Sequence, residues 1–342
     1  MNKKDKVKFA LLGCSRIAQQ HVKAIAENDK DCKLIDICDI NKKALKKFQE
    51  NDSSLHSFDK YDQMLKDSNA DCIIVTTPNG LHPEHSIRAL ESGFHVVTEK
   101  PMAIKWEDGK SMVKAAKQND KKLFVVKQLR YLETLSKLKK AIKSGRFGKI
   151  YYCNANVFWN RNQEYYDQAK WRGTSEFDGG AFMNQASHFF DLLVWLIGPV
   201  KTLFSFTDTL ARDIEMEDTG AVALNWQSGT IGTVNVTMLS YPKNFESSIT
   251  ILGEKGTVKL SGNKLNIIES WNFSSPQDYD FEEGTEVEQE VSHSPFYRSV
   301  IEQINGNKSN TISGNEGLKS LELLVAAYKS SSKNEMVKLP LD

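Results

Sequence analysis

Apolar and polar positions alternate along this chain with two different rhythms, and the change falls near residue 128. From Val7 to about Gln128, short β-branched or apolar runs (Val7–Leu12, Lys33–Cys38, Cys72–Thr76, His95–Thr98 and Leu123–Val126) are separated by segments with apolar residues at helical spacing, such as Arg16–Glu27, Pro83–Glu91 and Lys105–Gln118. Parallel strands need crossovers to connect them, so this alternation predicts an α/β domain with a doubly wound parallel sheet and helices on both faces.

Beyond Gln128 the runs Lys149–Trp159, Gly220–Trp226, Thr230–Thr237, Ser247–Leu252 and Thr257–Leu260 alternate apolar with polar residues or are rich in β-formers. Turn signals at Gln227-Ser228-Gly229, Gly253-Glu254-Lys255-Gly256 and Ser261-Gly262-Asn263 lie between or after them. They predict a large, mostly antiparallel open sheet, with a helix at Ala181–Leu196 inserted early and a last helix at Glu316–Ser330. Two domains are expected, 1–128 and 129–342, the last helix being a candidate to pack back on the first domain.

The length of 342 residues agrees with two modest cores. Formal charge is +1, from 45 Lys+Arg against 44 Asp+Glu, so no global field draws the protein to nucleic acid or an anionic membrane. The Lys42–Lys47 and Lys137–Lys143 segments read as solvated helix faces. Five cysteines, odd in number and without a C-x-x-C pair, point to a reducing cytoplasm. The charged start Met1–Lys6 runs straight into a strand, and no apolar run approaches the roughly 18 residues of a membrane span.

The first strand-to-helix junction, Gly13-Cys14-Ser15-Arg16-Ile17-Ala18, is a G-x-G-x-x-G/A fingerprint in its proper context. Helix-terminal amides there can hold a pyrophosphate, the mark of a Rossmann domain. Ser15 stands where a second glycine normally allows close backbone approach, so the cofactor sits slightly displaced or the hydroxyl donates to phosphate. Asp39, 21 positions after Ala18, can accept from both adenosine ribose hydroxyls and repel a 2′-phosphate, which selects NAD over NADP. Its plain alternative is a turn aspartate.

Ligands of such sheets bind outside the carboxyl ends of the strands. Two of those ends carry Thr76-Thr77-Pro78-Asn79-Gly80-Leu81-His82 and Thr98-Glu99-Lys100-Pro101. Thr76, Pro78, Asn79, His82, Glu99, Lys100 and Gln128 are therefore expected at the cofactor, and Lys100 can also aim its ammonium at a substrate oxygen. In the second domain Asn184 and His188 are four apart on the Ala181–Leu196 segment, and His188 can take a hydroxyl proton. A core histidine is the competing reading. Trp171-Arg172 can stack on and pair with a cofactor or phosphorylated ligand, and Trp159–Tyr166 offers Arg161 and Tyr165 to sugar hydroxyls or a carboxylate. Arg298 completes the substrate candidates. His82 and His85 have no companion ligand cluster, so no metal is expected.

Taken together, these motifs resemble the glucose-fructose oxidoreductase/inositol dehydrogenase (Gfo/Idh/MocA) family over nearly the whole chain. Glu99-Lys100-Pro101 after a Rossmann half is the specific signal. Within the family, Phe158–Ala169 and Gly179–His188 are similar to the UDP-N-acetylglucosaminuronate 3-dehydrogenases of bacterial O-antigen and lipopolysaccharide synthesis; many other members carry Asp where this chain has Asn184. The resemblance implies oxidation at C3 of a UDP-linked sugar, a 3-keto product passed to a PLP aminotransferase, and a homotetramer built through the exposed face of the second sheet. His188 is expected to take the proton of the sugar hydroxyl, with Lys100 hydrogen-bonding the same oxygen. A dehydrogenase of a free polyol or other sugar, and a non-catalytic NAD-binding sensor on the same fold, stay open at this point.

Overall fold

In the computed structural model, which describes residues 5–309 and 312–342, the chain divides into two compact units. Unit 1 comprises Met1–Gln128 and Ser292–Leu318, and unit 2 comprises Leu129–Val291 and Lys319–Asp342. The sequence reading drew one boundary, at 128; the chain makes two further crossings, because Ser292–Leu318 returns to unit 1.

The sheet of unit 1 consists of β1 (Val7–Leu12), β2 (Cys32–Cys38), β3 (His56–Phe58), β4 (Cys72–Val75), β5 (His95–Thr98) and β6 (Leu123–Val125). Their order is β3-β2-β1-β4-β5-β6, all parallel, the doubly wound arrangement the alternation predicts. Central strands covered on both faces read as continuous apolar runs, and Cys72–Val75 is buried at every position. Helices start where the local chemistry asks: the Asn41 side chain accepts from the amides of Lys43 and Ala44, and Pro83 opens the helix His82–Glu91. The helix Ser294–Ile304 packs against Ala18–Ala26 in the same unit.

Unit 2 is built on β7 (Ile150–Phe158), β8 (Val200–Asp208), β9 (Thr219–Trp226), β10 (Ile231–Thr237), β11 (Glu246–Gly253), β12 (Gly256–Ser261), β13 (Ile267–Phe273) and β14 (Val337–Lys338). They run in the order β13-β12-β11-β7-β10-β9-β8-β14, antiparallel except for the β7–β10 pair. One face carries Cys153, Ala155, Val157, Val222, Val234, Val236, Ile249 and Ile251, all buried, and β7 on this sheet packs against the helix Ser187–Ile197. On that helix Asp191 forms a buried bidentate pair with Arg130, Nε–Oδ2 2.8 Å and Nη2–Oδ1 2.8 Å. The opposite face has exposed Phe206, Ala221, Asn225, Ile231 and Leu252.

The expected helix Ala181–Leu196 is not one regular helix. A π-helical turn, Ala181–Gln185, closed by the Ala186 amide on the Ala181 carbonyl, precedes the α-helix Ser187–Ile197. Its backbone donors are taken by groups distant in sequence, described below. Among the described residues no helix is long and apolar enough to cross a membrane.

Candidate functional site

The cofactor end of unit 1 is assembled at the β1 and β4 carboxyl ends. Gly13 has φ +98°, and a Cβ there would stand 3.0 Å from the Thr76 main chain, so the close approach of the two strand ends needs glycine. Thr76 Oγ1 donates to the Gly13 carbonyl at 2.5 Å, and Ser15 Oγ donates to the Thr76 carbonyl at 3.2 Å. Ser15 thus ties the loop down. Asp39 does so too: Oδ2 accepts from the Cys14 amide and Oδ1 from the Asn41 amide, both at 2.7 Å. Its remaining lone pairs are open to ribose hydroxyls.

The helix Ala18–Ala26 starts after Ile17 with no side-chain cap, leaving first-turn amides for an anion, and Arg16 is exposed beside them. Glycine cradle, uncapped amides, arginine and Asp39 carboxylate all fit a dinucleotide.

His82 is buried, and each ring nitrogen lies 2.8 Å from a main-chain carbonyl, Nδ1 at Pro101 and Nε2 at Thr77. Burial pushes its pKa down, so one contact carries the proton at a time while the ring fixes the Thr76–His82 loop against the Lys100–Pro101 turn. His85 Nδ1 contacts Thr77 Oγ1 at 3.0 Å. Asn79 is buried at the start of a short 3₁₀ turn, Pro78 precedes it, and Gln128 ends the first segment of unit 1.

Glu99, placed at the cofactor by sequence, turns its carboxylate inward. Oε1 lies 3.0 Å from His21 Nε2 and 3.3 Å from His293 Nε2, and Oε2 accepts the Lys100 amide at 2.9 Å. The Tyr297 hydroxyl meets His21 Nδ1 at 2.6 Å. Burial by itself pushes the Glu99 pKa up, but the hydrogen bonds from His21 and His293 outweigh it and hold the carboxyl well below the usual range. Burial pushes His21 down, toward a neutral Nε2–H donor. Ligand atoms of His21, Glu99 and His293 converge within 4.8 Å of one another. That convergence is accounted for by N–H donation into one carboxylate, which fastens the residue before Lys100 to the helix carrying the uncapped amides.

In unit 2, only Asn184, Gln185 and His188 of the stretch 181–190 are not fully buried. The substrate candidates of the Trp159–Tyr166 segment reach this face through Gln185. Arg161 Nε donates to Gln185 Oε1 at 3.0 Å, and Gln185 Nε2 donates to the Tyr165 hydroxyl at 2.9 Å. The Tyr165 ring has the Arg161 guanidinium 5.3 Å from its centroid and that of Arg172 at 4.2 Å. Arg172 also donates to the Tyr165 carbonyl at 2.6 Å. Trp171 is half-buried beside it. Neither guanidinium forms an ion pair among the described residues. Arg298 is exposed on the unit 1 helix Ser294–Ile304.

Sequence reasoning missed Gln185 as a connector, Glu99's histidine partners, and the pair Glu217 and Tyr328 at the π-turn. Gln185 had a signal, standing beside Asn184 at a polar helix start. The others had none, because their partners are dozens to hundreds of residues away.

Residues 7–127 match the oxidoreductase-family NAD-binding Rossmann fold, and residues 139–339 match the oxidoreductase-family C-terminal alpha/beta domain. Among solved structures, the WlbA dehydrogenase of Bordetella pertussis, in complex with NADH and UDP-GlcNAcA, is 48% identical with a TM-score of 0.93, over 99% of this chain and 100% of that one. The Chromobacterium violaceum WlbA dehydrogenase, with the same two ligands, is 52% identical with a TM-score of 0.93, over 99% and 98%. A curated relative, scyllo-inositol 2-dehydrogenase (NADP(+)) IolW of Bacillus subtilis, is 26% identical over 81% of each chain. With both halves matched, the chain is an NAD-binding oxidoreductase of the Gfo/Idh/MocA family.

Proposed function

We propose that the protein oxidises the C3 hydroxyl of UDP-N-acetylglucosaminuronic acid to the 3-keto sugar with NAD, in the synthesis of a bacterial surface polysaccharide such as O-antigen lipopolysaccharide. The observation that carries this reading is the pair Arg161 and Arg172, flanking Tyr165 without an acidic partner among the described residues. Burial pushes the Arg161 pKa down, a cost that an anionic ligand group relieves. A uronate carboxylate or a diphosphate supplies that charge. A free inositol, the substrate class named for the Bacillus relative, does not. The complexes of the two WlbA dehydrogenases support the same choice.

NAD, when bound, accepts the hydride from C3. His188 takes the hydroxyl proton and Lys100 hydrogen-bonds the oxygen as charge builds on it. Asp39 accepts from the adenosine ribose, and the first-turn amides with Arg16 hold the pyrophosphate. Asn184, Arg161, Tyr165 and Arg172 orient the sugar. The 3-keto product is suited to a following amination by a PLP enzyme.

The five buried, unpaired thiols support action in a reducing compartment, the cytoplasm. The sheet face supports a homotetramer, since the cross-strand row Phe206–Ala221–Asn235–Asn156 presents uncharged groups that are exposed or half-buried.

Incubation with NAD and UDP-N-acetylglucosaminuronic acid, with and without α-ketoglutarate, followed by mass spectrometry, tests the reaction. A sugar lighter by two hydrogens supports it and shows whether a keto acid is needed to recycle NADH. An unchanged sugar with NAD bound overturns it in favour of another sugar or a sensor.

A further inference from the structure

The π-turn Ala181–Gln185 begins with three backbone donors, and each is taken by one of two residues far away in sequence. Ala181 N–H donates to the Glu217 carbonyl at 3.2 Å, Phe182 N–H to Glu217 Oε1 at 2.7 Å, and Met183 N–H to the Tyr328 hydroxyl at 3.2 Å. Helix starts leave such donors unsatisfied, so this pair does the work of an N-cap. No local sequence motif announces it.

The hydroxyl of Tyr328 lies 2.5 Å from the Gly179 carbonyl and 2.7 Å from Glu217 Oε1. Two oxygen–oxygen contacts of that length need two protons between them, and a phenol has one. If Glu217 is a carboxylate, one contact sets lone pair against lone pair. If it is a carboxylic acid protonated on Oε1, its O–H donates to Tyr328, Tyr328 donates to Gly179, and Oε1 still accepts from Phe182. Every contact then carries a hydrogen. The other oxygen, Oε2, is buried without a hydrogen-bond partner, which a neutral carbonyl oxygen tolerates far better than a charged one. Gly180, at φ +85°, leaves no space for a Cβ beside that oxygen.

We propose that Glu217 is a positioning residue for the reaction: as a neutral acid it caps, together with Tyr328, the turn that carries Asn184 and leads into His188, and its ionisation releases that turn. The charged and titratable groups facing it agree. Tyr328 faces it from the helix Gly314–Lys333. Asp178, which accepts from the Gly173 amide and the Asn184 side chain, faces it from the preceding loop. Asp218, next in sequence, spends its carboxylate on the amides of Leu210, Ala211 and Arg212. Burial first, and then Asp178, push the Glu217 pKa up to about 7.

The consequence is an alkaline limit on turnover that does not belong to a group touching the substrate. Turnover falls as Glu217 loses its proton. The kinetic measurement rests on the dehydrogenase reading above, the thermal one on the fold alone. The first is the pH profile of kcat and KM with NAD and UDP-N-acetylglucosaminuronic acid for the native protein, Glu217→Gln and Tyr328→Phe. The second is the thermal midpoint of the same proteins against pH, without substrate.

In the native protein kcat falls with a midpoint near 7, while KM for NAD stays constant. Glu217→Gln lowers kcat about tenfold, the loss of one hydrogen bond's worth of positioning, and abolishes the alkaline limb. Tyr328→Phe leaves Glu217 buried and facing Asp178, so the limb persists with its midpoint moved from the native value. The native thermal midpoint declines toward pH 7 more steeply than that of Glu217→Gln. An alkaline limb with the native midpoint in both variants, or thermal profiles of native protein and Glu217→Gln that run parallel, overturns the proposal. If no turnover is seen with this sugar, the thermal comparison still decides the state of Glu217.

Discussion

Two glutamates buried to nearly the same degree, Glu99 in unit 1 and Glu217 in unit 2, are driven to opposite charge states. Each sits next to a proposed catalytic group, Glu99 before Lys100 and Glu217 at the turn leading to His188. Burial acts on both in the same direction. The difference lies in the donors. Two imidazole N–H groups and an amide converge on Glu99, whereas Glu217 meets a phenol already claimed by a carbonyl, one amide and a neighbouring aspartate. A buried carboxyl is therefore not a charge until its donors have been counted.

The largest effect is expected at the groups these two glutamates serve. Lys100→Met and His188→Ala should each lower kcat by about 10²–10⁴ with NAD still bound, measured by turnover and by titration of NADH fluorescence. Near-native turnover in either variant would remove that residue from the chemistry.

Asp191 is the control for the comparison, an anion paired with a permanent cation. Asp191→Asn removes the anionic half of the buried bidentate pair with Arg130, and should cost about 3–5 kcal/mol in denaturant unfolding. A loss under 1 kcal/mol would show that water reaches the guanidinium.

The pH dependence of stability separates the two glutamates by sign. The folded-state pKa of Glu217 is raised, so its contribution is present below the unfolded value and lost as pH climbs to about 7, on the order of 3 kcal/mol across that window. The folded-state pKa of Glu99 is depressed, so its contribution is present above the unfolded value and lost as pH falls into the acid range. Glu217→Gln should flatten the first slope and Glu99→Gln the second. Exchanged or identical profiles would dissolve the contrast.

The smallest effect concerns the cradle beside the Glu99 network. Gly13→Ala introduces a Cβ 3.0 Å from the Thr76 main chain at φ +98°, and should cost about 1–2 kcal/mol along with some NAD affinity, read by thermal melts with and without cofactor. Unchanged melts would mean that β1 and β4 can part without penalty.

The Rossmann half was legible because buried parallel strands such as Cys72–Val75 announce themselves as unbroken apolar runs between helical segments. Three-residue β3 was too short to read. In unit 2, β8 went unseen because Phe204 and Phe206 stand on its outward face and blur the alternation, and β13 because Glu269 and Asn272 interrupt it. The candidates Lys100, Asp39 and His188 could be singled out from residue type and place. What stayed hidden was the support around them. Glu217 and Tyr328 accept the first amides of the π-turn from other parts of the fold, and His21 resembles any buried helix histidine until Glu99 and Tyr297 are beside it.

Asp39 gives a last consequence, for redesign. Its two oxygens fasten the Cys14 and Asn41 amides as well as serving the proposed ribose contact. Trading it for a neutral residue to admit NADP would slacken the glycine loop on which either dinucleotide depends, so coenzyme preference and loop rigidity are locked to one side chain. Ile40, 92% exposed and next in sequence, carries no such double duty. A switch of coenzyme would begin with an arginine at position 40 and touch Asp39 only afterwards.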